Sequence, residues 1–367
     1  MKILAIETSC DETAICYLEL NSDQENIQVI IQHNITHTQL EHIEYGGVFP
    51  AIAKREHQIN LPIILEQIMQ NQEIPDYICV TNGPGLEPAL WCGITFAQEL
   101  GEKWNIPVIP VNHMEGHILS ILVPDVSPSP NQERVGVRFE FTIPQNPFPL
   151  PALALLISGG HTELVSVKNI GNYAIIGKTR DDAVGEAFDK VARILGLPYP
   201  GGPEIARLAS QYSEHIPKIE NLPRPMLHTP DYDFSFSGLK TATLYLSQDI
   251  TKEHGTIPDD YKISIAHEFE QAAAEVITKK TMKALIGTGS RTLIIGGGVS
   301  ANKTITQSLI QKAQEIIPRK NIHKPSKELT GDNALMIGLA GYFKIIRDKQ
   351  KNPDLKYEIK AMGNLNF

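Results

Sequence analysis

Cysteine is scarce in this chain: Cys10, Cys16, Cys79 and Cys92 are the only four in 367 residues, and no two of them have CxxC spacing. That excludes a disulfide-stapled scaffold and leaves the thiols as small buried side chains. Long apolar runs are missing as well. The opening Met1-Lys2-Ile3-Leu4-Ala5-Ile6-Glu7 meets an acid after four apolar residues, too few for the apolar stretch of a secretory signal. No later run approaches the roughly 18 residues needed to cross a bilayer. The expectation is a soluble, cytoplasmic chain with no membrane partner. Positive charge is in deficit, with 33 Lys plus Arg against 42 Asp plus Glu for a net charge of -9. The chain therefore lacks the basic signature of a protein that grips nucleic acid unaided, so any RNA contact must be local or shared with a partner.

What is present is a globular composition, 42% hydrophobic and 20% charged, ample for one or two cores. Residues 2 to 7 and 14 to 20 read as a hairpin opening on the polar turn Thr8 to Thr13. Residues 51 to 69 read as a helix kinked or restarted at Pro62. A strand at 77 to 80, the breaker run Asn82-Gly83-Pro84-Gly85, a helix from 88 to about 104 and a strand at 108 to 111 complete a βαβ rhythm, hence an α/β domain. Residues 123 to 151 carry seven prolines and read as a mobile surface insertion.

A second cycle follows: strand 152 to 157, turn Ser158-Gly159-Gly160-His161-Thr162, strand 163 to 167 and helix 185 to 195. Two hairpins whose turns face each other across a cleft are what the actin, sugar-kinase and heat-shock ATPase superfamily uses to hold nucleotide phosphates. On that analogy the chain divides into residues 1–112 plus about 333–367, and residues 113–332 with the proline-rich insertion.

Four stretches carry candidate chemistry. His113-Met114-Glu115-Gly116-His117 puts two imidazoles on one helical face, able to share a metal ion; the bland alternative is one packed and one solvated histidine. It is not the HExxH of zinc peptidases, because the acid is displaced to Glu115. Gly296-Gly297-Gly298-Val299-Ser300-Ala301-Asn302 follows an apolar strand and precedes a helix, offering bare amides to a nucleotide or forming only a structural turn. Asp332, just before a small-residue helix, either caps that helix or completes a His/His metal site. Phe234 to Thr241 contacts a nucleobase or phosphate, or forms a strand edge.

Nine segments together resemble the TsaD family, formerly the Gcp O-sialoglycoprotease family. They are IETSCDET (6–13), YGGVFP (45–50), GPGL (83–86), HMEGH (113–117), SGGHTEL (158–164), GEAFDKVARILGLPYPGGP (185–203), FSFSGLKTA (234–242), GGGVSANK (296–303) and DNALMIG (332–338), in the family order. The resemblance implies an actin-like fold of two duplicated RNase H-like domains. It also implies transfer of threonylcarbamoyl from threonylcarbamoyl-adenylate to adenosine 37 of tRNA. It implies that His113, His117 and Asp332 bind one divalent metal, Fe(2+) with Zn(2+) as substitute. It further implies that Leu156, Ile157, Ser158, Gly159, Gly160, Asp189, Gly202 and Asn302 hold the adenylate. Implied partners are a TsaB-like homologous subunit, a TsaE-like ATPase and a separate enzyme that makes the adenylate. Glu12 is the candidate base for the amine proton. Lys178, Arg180, Arg193, Lys240, Lys303, Arg319 and Lys320 are candidate phosphate contacts or ordinary solvated surface.

Two departures from the family pattern stand out. The proline-rich stretch is longer than the family loop. Leu156 occupies a position where some members carry a Tyr ligand, so three protein ligands are expected. The competing readings are a non-catalytic nucleotide-binding scaffold and a metallopeptidase.

Overall fold

The computed structural model describes residues 1–124, 139–219, 222–352 and 357–367. The chain begins with β1 (Lys2–Glu7), β2 (Glu12–Ser22), β3 (Asn26–Thr38), α1 (His42–Tyr45), α2 (Pro50–Met69), β4 (Tyr77–Gly83), α3 (Glu87–Trp104), β5 (Val108–Asn112), α4 (His113–Leu119) and β6 (Phe139–Pro144). Next come β7 (Ala152–Ile157), β8 (Thr162–Asn169), β9 (Asn172–Lys178), α5 (Val184–Ile194), α6 (Gly201–Ala209), α7 (Ser237–His254) and α8 (Asp259–Gly287). The chain closes with β10 (Thr292–Gly296), α9 (Lys303–Ala313), β11 (Ile322–His323) and α10 (Ala334–Lys351).

Two compact units result: Met1–Phe148 with Asn169–Asn172 and Pro325–Phe367, and Pro149–Lys168 with Tyr173–Lys324. The sheet of the first runs β5-β4-β1-β2-β3-β6 and that of the second β11-β10-β7-β8-β9. In each, the first strand pairs antiparallel with the second and parallel with the fourth, and the fourth pairs parallel with the fifth. The same five-stranded topology occurs twice, which is the duplicated actin-like architecture.

The poor alternation of β1 has a physical cause. Ile3 and Ala5 enter one core with Leu335, Met336 and Leu339 of α10, while Leu4 and Ile6 enter another with Leu61 and Ile64 of α2 and Leu90 and Ile94 of α3. A strand covered on both faces reads as a continuous apolar run, each buried aliphatic side chain contributing about 1.5–3 kcal/mol. The small residues of α10 are equally explained. A Cβ at Gly338 would lie 2.6 Å from Leu18 Cδ2 and one at Gly341 2.3 Å from Cys79 Sγ, so the helix lies directly on β2 and β4.

Three sequence readings change. The division at 112/113 and 332/333 is not where the compact units part. Helix α4 and the segment from Pro325 onward stand with the first unit, because Gly116 packs within 3.0 Å (as a Cβ) of Met336 on α10. The proline-rich stretch is not all loop, since β6 extends the first sheet along β3, with Pro144 at its end, where no further ladder bond is required; residues 125–138 of that stretch lie outside the described residues. Helix α2 runs unbroken through Pro62, whose exposed side, shared with Gln58, leaves the freed carbonyl to water.

Candidate functional site

Two asparagines set up the first constellation. Asn112 caps α4, its Oδ1 accepting from the amides of Met114 at 2.8 Å and Glu115 at 3.2 Å, so His113 is the first helical residue directly after β5. Asn333 caps α10 by accepting from Met336 N at 3.0 Å. Asp332 is therefore not the cap, and its carboxylate is released toward the histidines. His113 Nε2 and His117 Nε2 lie 3.3 and 3.2 Å from Asp332 Oδ1, and the imidazole rings meet edge to face at 4.7 Å.

These separations suit a shared ion, since ligands at about 2.0–2.2 Å from one centre in tetrahedral array stand roughly 3.4 Å apart. A second observation points the same way. His117 is buried, and despite its approach to Asp332 neither ring nitrogen has the direction of a hydrogen bond, leaving two orphaned polar atoms in the interior. A buried imidazole without partners is costly unless something else takes its lone pair. Among the described residues, the ligand atoms of His113, His117 and Asp332 lie within 4.8 Å of one another.

Around this triad are groups with no assigned role in the sequence reading. Glu7, with no exposed surface, accepts from His113 Nδ1 at 3.0 Å, Thr81 Oγ1 at 2.5 Å and Ser9 N at 2.5 Å. A carboxylate on Nδ1 sets the tautomer that leaves Nε2 for a metal. Ser9 Oγ lies 3.2 Å from His113 Nδ1 and donates to Asp332 Oδ2 at 3.4 Å. An acid ending an otherwise apolar strand was the available signal for Glu7.

The electrostatics are those of a cation site. Burial alone would raise the Asp332 carboxyl, but the His113 and His117 imidazoles beside it hold it well below the usual range. Burial would lower His113, but Asp332 and Glu7 outweigh it and push the imidazole well up. Burial, Asp332 and Asp11 together push Glu12, the first residue of β2, well above an ordinary carboxylate. Burial and the same acids keep the Cys10 thiol protonated. Glu115, the acid inside the HMEGH run, is turned toward Arg347 on α10, 3.6 Å away, so it does not serve as the base of a peptidase.

The second unit carries the second constellation, at the carboxyl ends of the adjacent parallel strands β7 and β10. Leu156 and Ile157 are buried at the end of β7. Beyond them the Ser158 hydroxyl accepts from the amides of Gly160 at 3.3 Å and His161 at 3.0 Å, which shapes the turn. Gly159 and Gly160 are exposed, and a Cβ on either would meet nothing within 4 Å, so the packing of this unit does not explain their lack of side chains. The N-terminus of α5 abuts the turn: a Cβ at Gly185 would lie 2.6 Å from Ser158 O. A turn without side chains beside a helix N-terminus is open to close approach by an anion.

Gly297, with φ +87° and ψ 162°, adopts a conformation open only to glycine, and a Cβ there would strike Ile157 O at 2.4 Å. That close approach lays the loop after β10 against the end of β7. Asn302 caps α9 through Ile305 N at 2.9 Å and donates Nδ2 to the buried Glu270 at 2.7 Å. Glu270, absent from the sequence reading, thus fixes which way the amide faces. Asp189 accepts from Gly201 N at 2.7 Å, and neighbouring Gly202 faces open space.

The Phe234 to Thr241 stretch starts as a strand edge, Phe234 bridging Thr179 just past β9 through Phe234 N to Lys178 O and Arg180 N to Phe234 O, each at 3.0 Å, and becomes α7 from Ser237. Phe234 and Phe236 are fully buried, and Ser235, Phe236 N and Ser237 all bond the Asp181 carboxylate at the entry to α7. Of the candidate cations, Arg180 pairs with Asp231 and Asp233, and Lys240 with Asp182. No helix among the described residues is long and apolar enough to cross a membrane.

Residues 30–130 and 137–339 match the TsaD family, described as tRNA N6-adenosine threonylcarbamoyltransferase. A curated relative of that name from Chromobacterium violaceum is 41% identical over 371 residues, covering 100% of this chain and 98% of its own. One from Nitrosospira multiformis is 38% identical over 374 residues, covering 100% and 98%. One from Methylobacillus flagellatus is 41% identical over 358 residues, covering 96% and 95%. Among solved structures, full-length HypF in its phosphate- and nucleotide-bound form is similar with a TM-score of 0.54 at 12% identity, over 97% of this chain and 47% of that one. HypF from T. kodakarensis gives 0.52 at 11%, over 94% and 48%. At those identities the likeness is one of fold alone.

Proposed function

The chain belongs to the TsaD family of tRNA N6-adenosine threonylcarbamoyltransferases, and on that premise we propose that it moves threonylcarbamoyl from threonylcarbamoyl-adenylate to N6 of adenosine 37 in tRNAs reading ANN codons. The amine attacks the carbamoyl carbonyl carbon, the bond from that carbon to the phosphate oxygen breaks, and AMP leaves with the electron pair. The donor is already a mixed anhydride, so no covalent enzyme intermediate is required.

His113, His117 and Asp332 hold one divalent ion, iron with zinc as the alternative; imidazole and carboxylate donors suit both. When bound, the ion supplies Lewis acidity to developing negative charge on donor oxygen. The observation that carries this reading is the convergence of the three side chains around the orphaned nitrogens of His117. Leu156 to Gly160, Gly202, Asp189 and Asn302 hold the adenylate, with the Ser158 to Gly160 backbone near its phosphate. Glu12 accepts the amine proton, a role favoured by the neighbours that make it more basic than an ordinary carboxylate. The reaction takes place in the cytoplasm, with a TsaB-like subunit and a TsaE-like ATPase sharing the tRNA surface that a net charge of -9 makes too acidic to act alone.

The test is transfer of radiolabelled threonylcarbamoyl from its adenylate to an ANN-decoding tRNA by the purified chain with those partners, beside a His113→Ala, His117→Ala variant analysed for metal. Label in tRNA with the wild type, and loss of label and metal together in the variant, supports the assignment. Nucleotide binding without transfer under every partner combination refutes it. Glu12→Gln should slow single-turnover transfer by roughly 100-fold or more; an unchanged rate removes Glu12 from the mechanism.

A further inference from the structure

A chain of buried polar side chains in the first unit runs from the start of α2 to the turn that carries Glu12. Gln39, His42 and His57 are all essentially without exposed surface. Interior groups of this kind persist only when every donor meets an acceptor, and here the proton positions can be worked out in order.

The Phe49 amide can only donate, and it lies 3.3 Å from His42 Nδ1, so that nitrogen accepts. His42 therefore carries its proton on Nε2, which donates to Gln39 Oε1 at 2.9 Å. The Gln39 side chain is thereby oriented with Nε2 toward Ala53 O at 3.4 Å, packed on the His57 ring at 3.3 and 3.5 Å from its two nitrogens. The Thr13 hydroxyl lies 2.8 Å from His57 Nδ1 and, as a group able to donate or accept, follows whichever tautomer the other ring nitrogen requires. His57 Nε2 faces the Cys10 carbonyl at 3.0 Å, an atom that only accepts, so the ring proton is on Nε2 and Nδ1 accepts from Thr13. One proton arrangement satisfies the bonds of His42 to Phe49 and Gln39 and of His57 to Cys10 and Thr13. Burial keeps His57 on the low side of its ordinary value, in keeping with a neutral ring.

The far end of this relay grips the Ser9–Thr13 turn. Cys10 O is held by His57, Asp11 O by the backbone N–H of Gln39 at 3.0 Å, Ser9 O by Leu86 N at 2.8 Å, and Thr13 Oγ1 by His57. The backbone is anchored on both sides of Glu12, while Ser9 Oγ reaches His113 and Asp332.

We propose that His57 and Gln39 are positioning residues for the transfer: they touch neither substrate nor metal ligand, and they fix the turn that presents Glu12 and Ser9 to the His113–His117–Asp332 group. This rests on the function proposed above, in which Glu12 takes the amine proton. Among the described residues His57 is the one that bonds both Cys10 O and Thr13 Oγ1, which makes it the keystone.

Two variants of the full chain separate positioning from simple loss of fold. His57→Leu removes both bonds at similar volume, whereas His57→Gln keeps an N–H within reach of Cys10 O. His57→Leu should lower the single-turnover transfer rate on the order of 10- to 100-fold, with adenylate affinity and bound metal unchanged, and His57→Gln should recover most of the rate. A wild-type rate in a folded His57→Leu chain overturns the proposal, and so does a loss of adenylate affinity equal to the loss in rate.

A second arm does not depend on the reaction. A long-range ¹H–¹⁵N spectrum should show His42 and His57 as neutral Nε2–H tautomers, and His57→Leu should speed exchange of the Gln39 amide. A proton on His57 Nδ1, or an unaltered Gln39 exchange rate, overturns the relay. If the wild type transfers no label at all, the functional reading fails by itself and this arm still decides whether His57 fixes the turn.

Discussion

Replacing Glu7 with Gln should weaken metal binding through a proton, without touching a ligand. Glu7 presents two acceptor oxygens to three donors, Ser9 N, Thr81 Oγ1 and His113 Nδ1. As long as both oxygens accept, His113 keeps its proton on Nδ1 and its Nε2 lone pair stays toward Asp332, 3.3 Å away. Glutamine has nearly the same shape but one acceptor. With that oxygen kept on the Ser9 amide, the NH2 group faces Thr81 and His113. The threonine hydroxyl can rotate to accept, but the imidazole can accept only by moving its proton to Nε2, the atom that should ligate. Loss of such a carboxylate–histidine contact lowers metal affinity about 10- to 100-fold, or roughly 1.4–2.8 kcal/mol. Competitive titration of the full chain with zinc against a chelator measures this, with the thermal midpoint recorded as a check on folding. An unchanged affinity in a variant whose His113 still carries Nδ1–H would refute the account.

Zinc binding to the metal-free chain near neutral pH should release a proton, because Asp332 and Glu7 hold His113 well above its ordinary value and the metal needs the neutral ring; titration in buffers of different ionisation enthalpy reads it, and no release would contradict the assignment. In the same metal-free chain, the raised His113 contributes stability that is complete below its unfolded value and is lost as pH rises through the folded one. The depressed Asp332 contributes stability present above its unfolded value and lost as pH falls through the folded one. Denaturant melts should therefore be best between those limits and decline on both sides. Gly297→Ala should cost about 1–3 kcal/mol, because the residue has a glycine-only conformation against Ile157 O, whereas Gly298→Ala, facing open space, should change stability little. Equal effects would show that the loop does not depend on that approach. Gly341→Ala should cost about 1–3 kcal/mol by driving a methyl into Cys79 Sγ, and Cys79→Ala in the same chain should return part of it.

Much of this molecule is determined by short stretches of sequence, because the forces that shape them are local. Apolar runs with their breakers place β1, β4, β5, β7 and β10 within a few residues, and caps and small residues place α4, α5 and α10. The HMEGH run is a helix because Asn112 caps it, and its two histidines share a face because of helical spacing alone. From spacing, however, Asp332 was equally a helix cap. Its release to the histidines depended on Asn333 taking the cap and on α10 lying against α4 at Gly116.

Tertiary packing alone decided the rest. Glu7 meets His113 across 106 residues and Ser9 meets Asp332 across 323, separations at which no periodicity carries information. His57 lies within the helix read at 51 to 69 with nothing local to single it out, and only burial against Gln39, Thr13 and Cys10 makes its tautomer matter. The proline-rich stretch concealed β6, since whether a short segment pairs with β3 depends on the free edge offered to it rather than on its own composition. Sequence determines what each segment can form; which segments meet, and which protons their meeting fixes, follows from packing and from the requirement that buried polar groups find partners.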